Sequence, residues 1–414
     1  VPSSRHRWWM PSANVWLIEL MRVPLASASH RARRAPNNPT TRGTTPPQQG
    51  ACARKEKTTM SHMKKGAAAL GALSLASALL MSACGGGTST QGSESSSGGD
   101  ASGSYDVSSQ SITFIPKQLN NPFSDVMLGG GKNAAGEIGF AEVNVVGPLE
   151  ASSSSQVSFI NSEVQAGTNV LVIAANDPDA VCPALQDARK AGTKVVTFDS
   201  DSAADCRDLF INQVESKQVA ITMLDMVIDQ IGGSGKVAIL SATANAANQN
   251  AWIKFMEDEI ASNDKYKGIE IVAKVYGDDD DTKSFQEAQG LLQAHPDLNA
   301  IVSPTTVGIA ATARYLSTSD YKGKVVLTGL GLPNEMRSFV KDGTVTEFAL
   351  WDPAQLGYVA AYAGAALDSG AIKGEVGEKF TAGNLGERTI GENKTVVVGD
   401  PVRFNADNID KYDF

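Results

Sequence analysis

Val170-Leu-Val-Ile-Ala174, the amphipathic run Pro178–Lys190 and Lys194-Val-Val-Thr-Phe198 together decide the fold of this chain. Two short runs, apolar at nearly every position, flank one segment of helical length. A strand that is apolar on both sides has both faces covered, and two such strands joined through a helix lie parallel. The same alternation extends in both directions. Further strands are expected at Ile112–Ile115, Val143–Val146, Leu209–Ile211, Lys236–Leu240, Ile269–Val275, Ala300–Ser303, Val325–Thr328 and Thr346–Leu350. Helices are expected at Gln156–Ala166, Lys217–Ile231, Asn248–Ile260, Ser284–Gln293 and Val307–Leu316. The fold class is α/β, with parallel sheets flanked by helices.

The series breaks once. Leu209-Phe-Ile-Asn212 is followed by a long helix, and a new strand–helix series opens at Lys236-Val-Ala-Ile-Leu240. The part from residue 105 onward, about 310 residues, also exceeds the usual size of one core. Two lobes are therefore expected: residues 111–213 with 349–395, and residues 214–348. The chain would cross between them near Asn212–Val214 and near Glu347–Asp352. After Ser369 only Gly-rich, strand-like pieces remain, and residues 396–414 are left without a lobe.

Ahead of the lobes the chain reads differently. Met63-Lys-Lys-Gly, an apolar run ending Leu79-Leu-Met-Ser-Ala, and Cys84 followed by Gly85-Gly-Gly make residues 60–83 a lipoprotein signal peptide. Lipid would sit on Cys84. A plain signal peptide, or a helix with a chance cysteine, is the alternative. The apolar run is too short to cross ~30 Å of hydrocarbon. Residues 1–59 are basic and Pro/Thr-rich, and Val1 is how a GTG codon reads when translated literally. They are read as an untranslated or disordered leader, with synthesis starting at Met60 or Met63. Residues 84–110 form a Gly/Ser-rich linker. A cell-membrane lipoprotein, working outside the cytoplasm, is the expectation.

Of 36 Lys+Arg and 45 Asp+Glu, residues 1–65 hold 12 and 2, which leaves 24 against 43, a net −19, in the remainder. So acidic a body is a poor partner for nucleic acid. Its hold on a membrane would come from lipid. Apart from Cys52 and Cys84 the only cysteines are Cys182 and Cys206. Two cysteines in an exported chain suggest one disulfide, with two separate buried thiols as the alternative.

In open α/β sheets, ligands bind beyond the carboxyl ends of the strands. The residues found there are Lys117, Asn121 and Phe123 after the first strand, and Asp199 and Asp201 after Phe198. Asn248 and Gln249 follow Leu240, Pro304 and Thr306 follow Ser303, and Trp351 and Asp352 follow Leu350. Carboxylates and amides bridge adjacent hydroxyls, while aromatic faces cover the C–H side of a ring, so the set suits a small polyhydroxylated ligand. Singly, each has a plainer use: the acids as turn or helix caps, Asn248 and Gln249 as N-caps, the aromatics as core, Lys117 as surface.

Catalytic readings find less support. After residue 65 the only histidine is His295, at a helix end, so a Ser-His-Asp or Cys-His apparatus has no base. No His/Cys cluster has metal-ligand spacing, and no cofactor motif is present: Gly129-Gly-Gly-Lys132 lacks the spacing of a phosphate-binding loop. Asp278–Asp281 lacks the glycine and terminal glutamate of a calcium loop and reads as a solvated turn. A glycosidase using Asp199 with Asp201 is the competing enzyme reading, but carboxylates at i and i+2 on a short loop rarely straddle a bond.

The strand-end set, in this order behind a lipoprotein signal, resembles type I periplasmic sugar-binding proteins from about Ile112 to Phe414. Leu119-Asn-Asn-Pro-Phe123 is similar to the first-strand loop of ribose-type binding proteins, which implies sugar contacts from Asn121 and Phe123. Several further stretches resemble the rhamnose-binding and autoinducer-2-binding subfamily. They are Phe114-Ile-Pro-Lys117, Cys182-Pro-Ala-Leu, Thr197-Phe-Asp-Ser-Asp201, Cys206, Ile211-Asn-Gln213, Asn248-Gln-Asn-Ala-Trp252 and Asn408-Ile-Asp-Lys-Tyr-Asp-Phe414. The autoinducer pattern would have Asp-Gln at Asn248-Gln249 and alanine at Thr306, and it lacks the Asn-Asn-Pro-Phe loop. The resemblance thus implies a monomeric, non-enzymatic, lipid-anchored receptor that hands L-rhamnose, or alternatively autoinducer-2, to an ABC permease.

Overall fold

The structure, a computed structural model, describes residues 104–414. The leader 1–59, the signal 60–83, Cys84 and the linker as far as residue 103 lie outside the described residues.

Lobe one opens with β1 (Ser111–Ile115), α1 (Pro122–Ile138), β2 (Glu142–Val145), α2 (Ser153–Ala166) and β3 (Val170–Ile173). It continues through α3 (Cys182–Lys190), β4 (Lys194–Phe198) and β5 (Leu209–Asn212). Lobe two contains α4 (Ser216–Ile231), β6 (Gly235–Ser241), α5 (Ala247–Ser262), β7 (Ile269–Tyr276) and α6 (Asp281–Ala294). After these come β8 (Ala300–Ser303), α7 (Thr306–Ser317), β9 (Val326–Gly329), α8 (Pro333–Lys341) and β10 (Phe348–Leu350). The chain then returns through α9 (Pro353–Asp368) and four short strands: β11 (Lys379–Thr381), β12 (Glu387–Thr389), β13 (Thr395–Val397) and β14 (Val402–Phe404).

Lobe one is a six-stranded parallel sheet in the order β13-β5-β4-β3-β1-β2. Its interior follows from the alternation of side chains along a strand. On β3, Val170 and Val172 join a cluster with Met127 of α1 and Leu356 of α9, while Leu171 and Ile173 join Ile160 of α2 and Leu185 of α3. Both faces are covered, which is why the run is apolar throughout. Helix α9 is itself apolar all round because it is enclosed by α1 and the sheet. Gly130 and Gly357 permit that packing: a Cβ on either would lie 1.9 Å from a backbone oxygen of the facing helix.

Lobe two is a four-stranded parallel sheet, β7-β6-β8-β9, around a core that includes Leu240, Trp252 and Ile301. Strand β10 and Trp351 pack into this core, so the return to lobe one runs through Asp352 and Pro353. The chain crosses a third time. Strand β13 extends the sheet of lobe one beside β5, whereas β14 pairs antiparallel with β10. The first and third crossings run side by side, Val398 N–H donating to Asn212 O at 2.9 Å and Gly399 N–H to Gln213 O at 3.1 Å. The last residues pack on lobe two. Phe404 stacks on Phe348 with ring centroids 5.2 Å apart, and Asn334 N–H donates to Phe414 O at 3.0 Å.

Cys182, which begins α3, is bonded to Cys206 across a separation of 24 residues, with Cα atoms 5.3 Å apart. Closing a loop of this length restricts the unfolded chain by ~3–4 kcal/mol in the chain-entropy account. Replacing both cysteines by serine should lower unfolding stability by about that amount in urea titration. Peptide mapping without reductant should recover the two joined, and two free thiols in the exported protein would remove the expectation.

Candidate ligand-binding cleft

Both sheets reverse their strand order beside their first strand, between β1 and β3 in lobe one and between β6 and β8 in lobe two. Such reversal points are where loops part and a ligand fits. The carboxyl ends of the two sheets bound one cleft, lined by residues of both lobes, with about 510 Å³ of atom-free space including the solvent at its opening. Nine of the eleven residues read from the sequence line it: Lys117, Asn121, Phe123, Asp199, Asn248, Gln249, Pro304, Thr306 and Trp351.

Lys117 is held by its backbone. Gln156 of α2, fully buried, donates to Pro116 O at 3.0 Å and Ala174 O at 2.7 Å, and accepts from Asn176 N–H at 2.9 Å. Asn176 Nδ2 in turn donates to Lys117 O at 2.7 Å. The Lys117 ammonium lies 3.4 Å from Asp199 Oδ2 and donates to Asn248 Oδ1 at 3.1 Å. Asn248 Nδ2 closes the triangle by donating to Asp199 Oδ1 at 3.2 Å. Lys117 and Asp199 belong to lobe one and Asn248 to lobe two, so the triangle spans the cleft. Burial pushes the Asp199 carboxyl above its ordinary value, against the opposing pull of Lys117 and the hydrogen bond from Asn248.

Gln249 is oriented by its carbonyl, which accepts from Ser241 Oγ at 2.6 Å and Ala242 N–H at 2.8 Å. Its amide is therefore the end able to donate to a ligand. Asn121 caps α1, Oδ1 accepting from Ser124 N–H at 3.1 Å. Pro304 and Thr306 lead into α7 from β8. The apolar wall is a chain of three rings. Phe123 meets Trp351 edge-on at 6.3 Å, and Trp351 meets Trp252 at 5.8 Å. Trp351 Nε1–H is buried with no hydrogen-bond partner among the described residues.

Two of the eleven lie elsewhere. Asp201 turns away to Arg207, which donates to both its oxygens, Nε at 2.6 Å and a terminal nitrogen at 2.7 Å. Arg207 is nearly fully buried, so it takes the nearest carboxylate. Asp352 caps α9, Oδ1 accepting from Ala354 N–H at 2.9 Å. Conversely, the cleft contains a carboxylate that the sequence reading set aside as solvated, Asp279. Its place just beyond the carboxyl end of β7 is the signal that could have found it. Trp252 and Thr305, from α5 and from the turn before α7, also line the cleft.

A model of the periplasmic binding protein domain matches residues 112–371, which is more than half of the chain. The chain belongs to the periplasmic binding protein domain family. A sugar ABC transporter from Actinomyces odontolyticus ATCC 17982 is 99% identical in the aligned part, which covers 75% of this chain and 100% of that one, with a TM-score of 0.63. A solute-binding protein from Clostridium phytofermentas, solved with L-rhamnose, is 34% identical over 73% of this chain and 98% of its own, with a TM-score of 0.70. LsrB from Clostridium saccharobutylicum, solved with AI-2, is 28% identical over 73% of this chain and 100% of its own, with a TM-score of 0.69. Family membership carries an extracytoplasmic location. Among the described residues no helix is long and apolar enough to cross a membrane.

At the mouth of the cleft, Glu335 of α8 faces the loop Gln118–Pro122 of lobe one. Its Oε2 is buried with no partner among the described residues, and burial, then the charge of Asp281, pushes its carboxyl up to about 7. A raised carboxyl contributes most to stability below its ordinary value of 4.5, and that contribution is lost as the pH rises through about 7. Glu335→Gln should therefore flatten the slope between those values. It should also raise stability at pH 8, by at most ~3 kcal/mol, as read from urea midpoints at pH 5 and pH 8. An unchanged slope would mean that Glu335 reaches solvent.

Proposed function

We propose that this protein is the sugar-binding receptor of an ABC importer, that its ligand is L-rhamnose, and that it acts as a monomer tethered by lipid on Cys84. The observation that carries the reading is the triangle of Lys117, Asp199 and Asn248 beside the Phe123–Trp351–Trp252 wall. A ligand with several vicinal hydroxyls can replace the contacts between these polar groups, giving to Asp199 and taking from Lys117, Asn248 and the Gln249 amide. Rhamnose carries a methyl where most hexoses carry a hydroxymethyl, and the rings of Phe123 and Trp351 offer that methyl an apolar face. The 34%-identical relative with L-rhamnose bound supports this choice.

Closure follows from where the groups sit. Asp199 and Lys117 project from lobe one, Asn248 and Gln249 from lobe two, so a sugar held by both sets favours the lobes together. The energy of the hinge motion comes from contacts that only the closed arrangement makes. Nothing in this scheme requires bond cleavage. The glycosidase reading is disfavoured by Asp201, whose two oxygens are committed to Arg207.

Autoinducer-2 is the second reading, favoured by the 28%-identical relative; Lys117, Asp199, Gln249 and Pro304 fit either ligand. Asn248 and Thr306 speak against it.

Calorimetry with L-rhamnose, D-ribose, D-arabinose and autoinducer-2 is the test. Asp199→Ala should lose a charge-assisted hydrogen bond of ~1.5–3 kcal/mol, a ten- to more than hundredfold loss of affinity. Lys117→Ala and Asn248→Ala should cost similar amounts. Asn248→Asp should weaken rhamnose and strengthen autoinducer-2. Wild-type protein that takes autoinducer-2 and ignores rhamnose would replace the ligand assignment. For the tether, Cys84→Ser should release the protein from washed membranes or leave an unprocessed precursor, and unchanged membrane association would rule out lipid there.

A further inference from the structure

Asp278–Asp281 are four successive carboxylates, and three have structural employment. Asp278 pairs with Lys283. Asp280 caps α6, accepting from Lys283 N–H at 2.7 Å, and Asp281 accepts two bonds from Arg314 at 2.6 and 2.7 Å. Asp279 alone of the four lines the cleft. Its Oδ1 accepts from the Thr305 hydroxyl, and its backbone carbonyl accepts from Gln118 Nε2 of lobe one at 3.2 Å. Its other carboxylate oxygen is left for something in the cleft. The backbone turns sharply to bring it there: Asp278 and Asp279 have φ of 54° and 51°, two successive non-glycine residues in the left-handed region. Such strain persists where the surrounding structure enforces it, commonly at sites that bind.

The charges bear on what that ligand is. The cleft wall holds two carboxylates, Asp199 and Asp279, and one cation, Lys117. Lys117 is already engaged by Asp199 and Asn248. We propose that Asp279 is a specificity-determining ligand contact, accepting a hydrogen bond from a sugar hydroxyl and, with Asp199, turning away sugars that carry carboxylate or phosphate. Burial disfavours the charged form of Asp279, the Thr305 hydrogen bond and the Lys117 charge oppose that, and Asp199 adds to it. A third negative charge in the same space would have to share the one lysine that Asp199 and Asn248 already engage. The proposal rests on the sugar-receptor reading.

The test is calorimetry of wild type and three variants with L-rhamnose, D-ribose, D-arabinose, D-galacturonate and D-ribose 5-phosphate. Asp279→Gly removes the contact and suits the left-handed backbone. It should keep a melting temperature no lower than wild type while losing at least tenfold in affinity for the tightest neutral sugar. Asp279→Asn keeps an acceptor and removes the charge, so the preference for neutral over anionic sugars should shrink tenfold or more. Asp280→Asn retains the helix cap and should bind within twofold of wild type. Asp279→Gly binding within twofold of wild type, or wild type taking galacturonate as tightly as neutral sugars, would overturn the assignment of Asp279 alone. Wild type that binds no sugar of the panel would remove the receptor reading, and this proposal with it.

Discussion

A lysine ammonium in a cleft walled by Phe123, Trp252 and Trp351 is tolerable only with a carboxylate beside it, and Asp199 supplies one at 3.4 Å. That pair belongs wholly to lobe one and leaves each partner short of hydrogen bonds. Asn248 supplies them from lobe two. An amide gives and accepts at once, so one side chain can serve a cation through its oxygen and an anion through its nitrogen. The meeting of the lobes is thereby set in register by a group that balances both charges. A carboxylate at the same position could serve only Lys117.

Around this triangle the backbone is held under local strain. Among the described residues, six non-glycine positions have φ between 51° and 60°. Asn120, Asp199, Asp278 and Asp279 sit in loops that border the cleft. Asn393 and Lys394 lie just ahead of β13, and there the Arg207 guanidinium donates to both carbonyls while binding Asp201. Arg207 therefore joins the loop that follows Asp199 to the segment entering β13. The disulfide from Cys206 to Cys182 fixes the same loop on its other side. Asp199 is thus placed by a buried cation, a covalent bond and the sheet end together.

How far the sequence reveals this depends on how local each cause is. Val170–Ala174 and Lys194–Phe198 announce doubly covered strands because burial on both faces demands apolar residues at every position. Strands β11 to β14 have three residues each, too few to show a period, and β13 finds its place only by pairing with β5, far away in sequence. For the cleft, the strand-end rule succeeds at Lys117, Asp199 and Asn248, whose neighbours offer no stronger partner. It fails at Asp201 and Asp352 because a buried arginine and a helix N-terminus compete for the same carboxylate chemistry. It misses Asp279, although that residue lies just beyond β7, because an acidic run looks solvated and the left-handed turn at Asp278 and Asp279 shows only in the fold.

The enclosure of α9 between α1 and the sheet, together with β13 at the sheet edge, also dictates an order of assembly. Lobe two draws nearly all its sheet and helices from one unbroken stretch of chain, so its contacts close over short loops. Lobe one begins first and is completed late: its central helix and its sixth strand arrive only after α4 to β10 of lobe two have been threaded. Until then β3, β4 and β5 lack the helix that covers one of their faces, and the loop that must close to cover it spans well over a hundred residues. A chain that emerges from its amino end therefore holds lobe one half built throughout the arrival of α4 to β10, and the cleft cannot close until that lobe is finished.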